Sequence, residues 1–348
     1  MKVLSGHSLA PFHTFGIDRR ASHIITVESI SDIQSIWATE TYQNLPKLMV
    51  GKGSNLLFCD DFQGVVILNR IKGIEVTETD AAHHLHVGSG EDWHDLVTWT
   101  LKNNMFGMEN LALIPGCVGS APIQNIGAYG VEIKDLCEYV DILDLHSGEV
   151  KRLSAEECQF GYRDSIFKHD YKDNITIIAV GLCLPKVWKP QLAYGPLADL
   201  SSETTTAQDI YDRVCLLRQS KLPDPKVSGN AGSFFKNPVI SNTLLNALKE
   251  EYPTMPSYAA GLEASKLAAG WLIDQCGLKG VSVGGAQVNP LQALVLTNTG
   301  TATSDDVINL AQLVVDTVKD RFGVVLQHEV RFMGSTGEIS LAEIKLHD

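Results

Sequence analysis

Cysteine is present but never paired: seven residues, an odd number, lie at 59, 117, 137, 158, 183, 215 and 276, with no CxxC spacing among them. That pattern excludes a disulfide-stapled scaffold and a cysteine-based zinc site. Long hydrophobic runs are missing as well. No uninterrupted membrane-length apolar stretch occurs, and the opening residues, MKVLSGHSLAPFHTFGID, contain neither a long apolar signal core nor a cleavage site. Membrane insertion is therefore not expected, and the chain reads as cytoplasmic. Basic residues are in deficit, 28 Lys and Arg against 41 Asp and Glu, for a net charge of −13. A nucleic-acid or anionic-membrane partner does not fit that balance, although a local pocket can still oppose the global field and take a small anion.

What is there is ordinary globular material: 348 residues, 44% hydrophobic and 20% charged, enough for two or three domains. Short β-like runs alternate with helical patterns, without internal repeats. Strands are predicted near 46–50, 64–68, 84–88, 139–145 and 175–184. Residues 92–103 place Trp93, Leu96, Val97, Thr100 and Leu101 on one helical face, and 206–218 do the same with Ile210, Val214 and Leu217. Ser304, followed by Asp305 and Asp306, is the expected cap of a helix that ends at Gly323. Two junctions stand out, one near 69–78 and a Pro-, Gly- and Lys-rich one at 221–232.

Several segments could carry chemistry. VGKGSNLLF (50–58) places Gly51, Gly53, Ser54 and Asn55 after a strand, where free amides can approach a phosphate, but it fails the GxGxxG pattern because Leu56 stands at the last glycine position. LIPGCVGSAPIQNIGAYG (113–130) has no charged residue, so it is expected to lie buried against something that satisfies Ser120, Gln124, Asn125 and its backbone amides. A pyrophosphate cofactor with a polar ring meets that demand; a buried connection closing on itself meets it too. FGYRDSIFK (160–168) offers either a local Arg163–Asp164 pair on an exposed turn or an Arg fork for a carboxylate or phosphate. LQHEVRF (326–332) alternates, aligning Gln327, Glu329 and Arg331 on one strand face. His83, His84 and His86 lack an acidic or cysteine partner at ligand spacing, so no metal is expected. In GNAGSFFKNP (229–238), glycines surround a single hydroxyl, Ser233, set against Phe234 and Phe235.

Taken in order with HTFGID (13–18) and AAGWLIDQCGLKG (268–280), these segments resemble the UDP-N-acetylenolpyruvoylglucosamine reductase family along nearly the whole chain. LAYGPL (192–197), with Tyr194, matches the longer, type I branch. The resemblance implies an α+β, three-domain flavoprotein: an FAD-binding region of the vanillyl-alcohol-oxidase (PCMH) type and a separate α/β substrate-binding domain. The implied limits are 1–70 with 332–348, then 71–222, then 223–331. It further implies FAD as bound cofactor and NADPH as hydride donor. The implied reaction is reduction of UDP-N-acetylglucosamine enolpyruvate to UDP-N-acetylmuramate by a monomer, in peptidoglycan precursor synthesis.

By the same resemblance Ser233 gives a proton to the substrate α-carbon, while Arg163 and Glu329, the latter protonated, flank the substrate carboxylate. Tyr162, Tyr194, Lys221, Asn237 and Gln292 match positions that grip the UDP-sugar. Flavin contacts fall on Gly51, Gly53, Ser54, Asn55, Pro115, Gly116, Gly119, Ser120, Gln124, Asn125, Gly127, Ala128, Tyr129 and Arg218. Two rivals stand beside this reading. An oxidase of the same fold would not need the 221–238 and 326–332 segments together, and a silent flavin- or nucleotide-binding module would have lost Ser233, Arg163 or Glu329.

Overall fold

In the computed structural model, which describes residues 1–344, the run FQGVVILN forms strand Phe62–Asn69 with only Gln63 exposed. A nearly continuous apolar strand needs cover on both faces, and here it has it. It belongs to a four-stranded sheet of order Lys2–Ser5, Ala21–Val27, Phe62–Asn69, Lys47–Val50. Lys47–Val50 runs parallel to it, whereas Lys2–Ser5 and Ala21–Val27 are antiparallel. Residues 345–348, the end of the segment expected to complete the first FAD-binding subdomain, lie outside the described residues.

A five-stranded antiparallel sheet follows in the order Val150–Ser154, Cys137–Asp144, Ile175–Pro185, Ala82–Gly88, Ile74–Glu78. Its central strand, ITIIAVGLCLP, is the most apolar and the most buried, while the edge strands VKRLS and IEVTE carry charge and lie mostly open. Charged edges of this kind discourage pairing with another chain. On one face, Arg152 binds Asp141 through two bonds of 2.7 and 2.8 Å and lies 3.6 Å from the centroid of the Tyr139 ring. The histidines of Ala82–Gly88 find partners on this sheet: His84 Nδ1 is 3.0 Å from Glu138 and His86 Nδ1 is 2.9 Å from the Tyr139 hydroxyl. Among the described residues, no three His, Cys, Asp or Glu side chains converge as a metal site.

The opposite face of that sheet is covered by two helices whose apolar faces follow the sequence pattern. Trp93–Lys102 starts at Asp92, whose carboxylate accepts the Asp95 N–H, and buries Trp93, Leu96, Val97 and Thr100. Leu101, expected on the same face, is half-buried. Ala207–Lys221 buries Ala207, Ile210 and Val214, the last two in the same core as Leu85, Val87, Val140, Val180 and Leu182. Each such buried aliphatic side chain contributes roughly 1.5–3 kcal/mol.

The chain divides into two compact units, each assembled from separated segments. The first comprises Met1–Ser5, His23–Lys52 and Gly64–Ser220; the second comprises Gly6–Ser22, Gly53–Gln63 and the residues from Lys221 onward. The 69–78 junction thus separates two sheets of one unit, whereas the 221–232 junction opens the second. That second unit holds three small sheets. Gly229–Asn230, Leu296–Asn298, Ala286–Val288 and Ser282–Val283 form one; Val239–Ser241, Ala264–Leu267 and Ser257–Ala259 form another. The third pairs Arg331–Met333 with Glu338–Ile339 and, in parallel, with Leu56–Phe58.

Its long helix, Ser304–Phe322, corrects one expectation. Thr303, not Ser304, is the cap: its hydroxyl accepts the Asp306 N–H and Asp306 accepts the Thr303 N–H, a reciprocal box. Ser304 is instead fully buried in the first turn, its hydroxyl donating to the Cys59 carbonyl at 3.1 Å. Gly323, at φ 66°, ends the helix. A second correction concerns 326–332. Its burial does alternate at first, but regular strand structure begins only at Arg331; His328 makes a single bridge to Phe235 and Val330 is a bend. No helix among the described residues is long and apolar enough to cross a membrane.

Candidate active site

In the first unit the uncharged loop 113–130 packs its apolar side chains and contorts its backbone. Gly116, Cys117, Val118, Ala121, Pro122, Asn125 and Ile126 are buried; Gly119, Gln124, Gly127, Ala128 and Tyr129 are half-buried; Pro115 and Ser120 are exposed. Six described non-glycine residues have positive φ, and four belong to this loop or to the 160–168 turn: Leu113 at 57°, Asn125 at 44°, Tyr129 at 50° and Arg163 at 53°. Such conformations cost about 1–3 kcal/mol each and persist only where surrounding bonds impose them. Asn125 shows how. Its amide donates to Glu132 and to the Gly161 carbonyl, both at 2.9 Å, and its oxygen accepts the Lys134 N–H at 3.2 Å. The Ser120 hydroxyl donates to the Cys117 carbonyl at 2.7 Å and closes the turn containing Gly119.

Asn125 therefore ties the loop to the 160–168 turn, and Arg163 ties the turn back, with Nη2 donating to the Gly127 carbonyl at 3.0 Å. Asp164 pairs with His169 at 2.9 Å, so its carboxylate serves the turn itself. Tyr162, beside Arg163, is exposed. Arg218 comes from helix Ala207–Lys221. Burial pushes its pKa below the ordinary arginine value, helped by the Arg163 charge and opposed by Tyr129 and Cys215. Its Nε is buried with no hydrogen-bond partner among the described residues. A half-buried guanidinium with a buried, unspent Nε–H, influenced by a second guanidinium and by Tyr129 of the uncharged loop, fits an anionic group such as a cofactor pyrophosphate. Tyr194 meets Tyr129 edge-on, ring centroids 6.0 Å apart. Gly51, half-buried, completes the set of sequence-predicted residues in this unit.

In the second unit the question raised by GNAGSFF has a geometric answer. Ser233 is exposed, while Phe234 and Phe235 are each only 1% exposed, with ring centroids 5.1 Å apart; Phe234 also meets Phe332 and Phe15. The backbone N–H of Phe234 donates to the Leu294 carbonyl at 2.7 Å, and its carbonyl accepts the Glu329 N–H at 2.7 Å. One rung of backbone pairing thus places Glu329 next to the residue after Ser233. Two glycines make the loop possible. A side chain at Gly229 would lie 2.2 Å from the Phe15 carbonyl oxygen, and Gly232 sits at φ 69° in open space, a purely conformational need. The Asn55 amide donates to the Glu329 carbonyl at 3.1 Å, and the Asn55 carbonyl accepts the Arg331 N–H at 3.0 Å. Gly53 is buried and Ser54 half-buried in the same segment.

The remaining predicted substrate contacts are also in this unit. Lys221 is exposed. Asn237 accepts the Ala269 N–H at 2.9 Å, closing the start of helix Ala269–Gln275, and half-buried Gln292 lies against Gly270. Sequence reasoning passed over Asn230. It is 2% exposed, donates to the Pro223 and Ser228 carbonyls at 3.1 and 2.8 Å, and accepts the Gly232 N–H at 2.9 Å. Its position between two small residues was the only local hint. Asn230→Ala leaves three backbone groups unpaired and is expected to cost about 1–3 kcal/mol. Thermal unfolding checks this: Tm should fall by several degrees, and Asn230→Asp should not rescue it, because it keeps the acceptor for Gly232 but turns a buried carboxylate oxygen toward the Pro223 and Ser228 carbonyls.

Residues 224–333 match the family described as UDP-N-acetylenolpyruvoylglucosamine reductase, C-terminal domain, and residues 21–154 match the FAD binding domain family. The UDP-N-acetylenolpyruvoylglucosamine reductase of Photobacterium profundum is 62% identical over 344 residues, 99% of each chain. That of Escherichia coli (strain K12) is 55% identical over 337 residues, 97% of this chain and 98% of the other. A solved structure of the reductase from Thermus caldophilus shares the fold, with a TM-score of 0.65 at 23% identity, covering 95% of this chain and 98% of that one. The α+β flavoprotein class expected from sequence holds. With near-complete, colinear identity to such relatives, the chain belongs to the UDP-N-acetylenolpyruvoylglucosamine reductase family.

Proposed function

We propose that the protein uses bound FAD and NADPH to reduce UDP-N-acetylglucosamine enolpyruvate to UDP-N-acetylmuramate in peptidoglycan synthesis, as a cytoplasmic monomer. The observation that carries the chemical reading is the single exposed hydroxyl of Ser233, held rigidly by two buried phenylalanines one backbone rung from Glu329. Division of labour follows the proposed limits: 1–70 with 332–348 and 71–222 for FAD, 223–331 for the sugar nucleotide.

When bound, FAD supplies the two-electron carrier between the nicotinamide and the enolpyruvyl group. Gly51, Gly53–Asn55, the 115–129 loop and Arg218 are the residues that would hold it, with the unspent Nε–H of Arg218 available to an anionic group. Tyr162, Tyr194, Lys221, Asn237 and Gln292 grip the UDP-sugar.

An enol ether is electron-rich, so accepting hydride at its β-carbon pushes charge toward the substrate carboxylate. Arg163 stabilises that charge with its fork of N–H donors. Glu329 does so as a neutral acid, because a second carboxylate would repel the first; its role requires a raised pKa. Ser233 Oγ delivers its proton to the α-carbon, and the double bond becomes a saturated C–C bond.

The test is anaerobic absorbance of the flavin-loaded protein. Stoichiometric NADPH should bleach the flavin band and the enolpyruvyl substrate should restore it. Bleaching that only air reverses would overturn the reading in favour of an oxidase.

A further inference from the structure

We propose that His94 is a positioning residue for the cofactor-binding loop: as a neutral imidazole it locks the left-handed turn at Leu113, and taking up a proton releases that turn. The inference rests on the reading of 113–130 as an FAD-binding loop. Leu113 opens this loop at φ 57°, a conformation that a leucine does not adopt without a reason. The reason lies on a neighbouring helix. The Leu113 N–H donates to Nδ1 of His94 at 3.0 Å.

The surrounding bonds assign the imidazole proton. Nδ1 accepts from a backbone amide, so it carries no hydrogen, and the neutral ring holds its proton on Nε2. Nε2 faces the Tyr211 hydroxyl at 3.5 Å. That hydroxyl lies 2.9 Å from Thr98 Oγ1, which in turn donates to the His94 carbonyl at 3.0 Å. With the Thr98 proton spent on the His94 carbonyl, the Tyr211 hydroxyl accepts from His94 and has Thr98 Oγ1 and the Cys215 sulfur as acceptors for its own proton. The two rings lie nearly parallel, 11° apart in tilt with centroids separated by 5.9 Å, so the imidazole cannot rotate without leaving Tyr211.

The charged groups that bear on His94 come from three directions. Asp95 lies on its own helix, Arg218 on the Tyr211 helix and Lys52 beside the Gly51 turn. Burial, the largest influence, and then Arg218 and Lys52 keep the imidazole pKa below its ordinary value, against the opposing pull of Asp95. A neutral ring at neutral pH is thus what the site favours. Once protonated, Nδ1 becomes a donor pointed at a donor, and His94 no longer restrains the Leu113 turn.

The test is FAD affinity of the apoprotein, followed by quenching of flavin fluorescence between about pH 5 and pH 8. Wild-type affinity should be constant near neutrality and fall by up to about tenfold per pH unit once the pH drops below the His94 pKa of the apoprotein. His94→Asn places an amide oxygen where Nδ1 stands and takes up no proton, so it should bind well with that pH dependence removed. His94→Leu should bind roughly tenfold or more weakly at every pH. Wild-type affinity at neutral pH in His94→Leu would overturn the proposal, and so would a wild-type slope in His94→Asn. Should His94→Leu fail to fold by circular dichroism, the comparison of wild-type and His94→Asn slopes decides alone. A wild-type protein that binds FAD with no acid limb sinks only this inference, whereas one that binds no FAD sinks the function proposed above.

Discussion

Ser233→Ala is expected to leave reduction of the flavin by NADPH unchanged and to slow its reoxidation by the enolpyruvyl substrate by about 10²–10⁴-fold. The substitution is unusually clean. Ser233 is exposed, and the loop is fixed by its neighbours: Asn230 through three bonds, Phe234 through two backbone bonds and both phenylalanines through burial. Removing one oxygen therefore changes proton supply without moving the chain. Stopped-flow absorbance separates the two half-reactions, since NADPH bleaching and substrate-driven return are read in separate mixing experiments. Ser233→Cys, which keeps a proton on the donor atom, should recover part of the loss. Return of the flavin band at near wild-type rate in the alanine variant would remove Ser233 from its role.

Arg163→Lys is expected to lower kcat/KM for the enolpyruvyl substrate by about 10²–10³-fold, with Tm within a few degrees of wild type. Lysine keeps the positive charge but loses the planar fork, and with it the simultaneous hold on the Gly127 carbonyl and a substrate carboxylate. It also inherits the same left-handed backbone at φ 53°, so the local strain is common to both proteins and cancels in a stability comparison. A loss confined to thermal stability, with turnover within about threefold of wild type, would mean that Arg163 only braces the cofactor loop.

The sequence made local features legible and long-range ones obscure. Helices Trp93–Lys102 and Ala207–Lys221 were readable because a cap or a run of apolar spacings lies within a few turns. Thr303 and Ser304 were confused because either hydroxyl, followed by Asp305 and Asp306, satisfies the pattern; only the Asp306 spacing, three residues on, singles out Thr303. The alternation of 326–332 suggested a strand, but alternation reports which side chains are buried, not whether a continuous partner strand is present; residues 327–329 meet 234–236 only through a bridge and isolated rungs, and a continuous partner begins at Arg331. Asn230 and His94 were silent for a related reason. Each meets a backbone group in another segment (Pro223 and Thr14 for Asn230, Leu113 for His94), and no spacing rule encodes such a meeting. The 113–130 loop was visible because it carries glycine and uncharged polar residues where ordinary surface loops carry charge, whereas 160–168 and 326–332 are charged and stood out only through their order along the chain.

Phe15, Ile17, Leu57 and Cys59 share one core with residues from Ala231 to Phe332. During synthesis these four side chains leave the ribosome long before the bulk of their partners. At about 5–20 residues per second the wait is on the order of tens of seconds. The nascent N-terminal region must therefore be shielded or loosely collapsed until translation is nearly complete, and a chain released early lacks most of the surface that would cover it. Premature termination should thus yield aggregation-prone fragments, which quality-control proteases would clear.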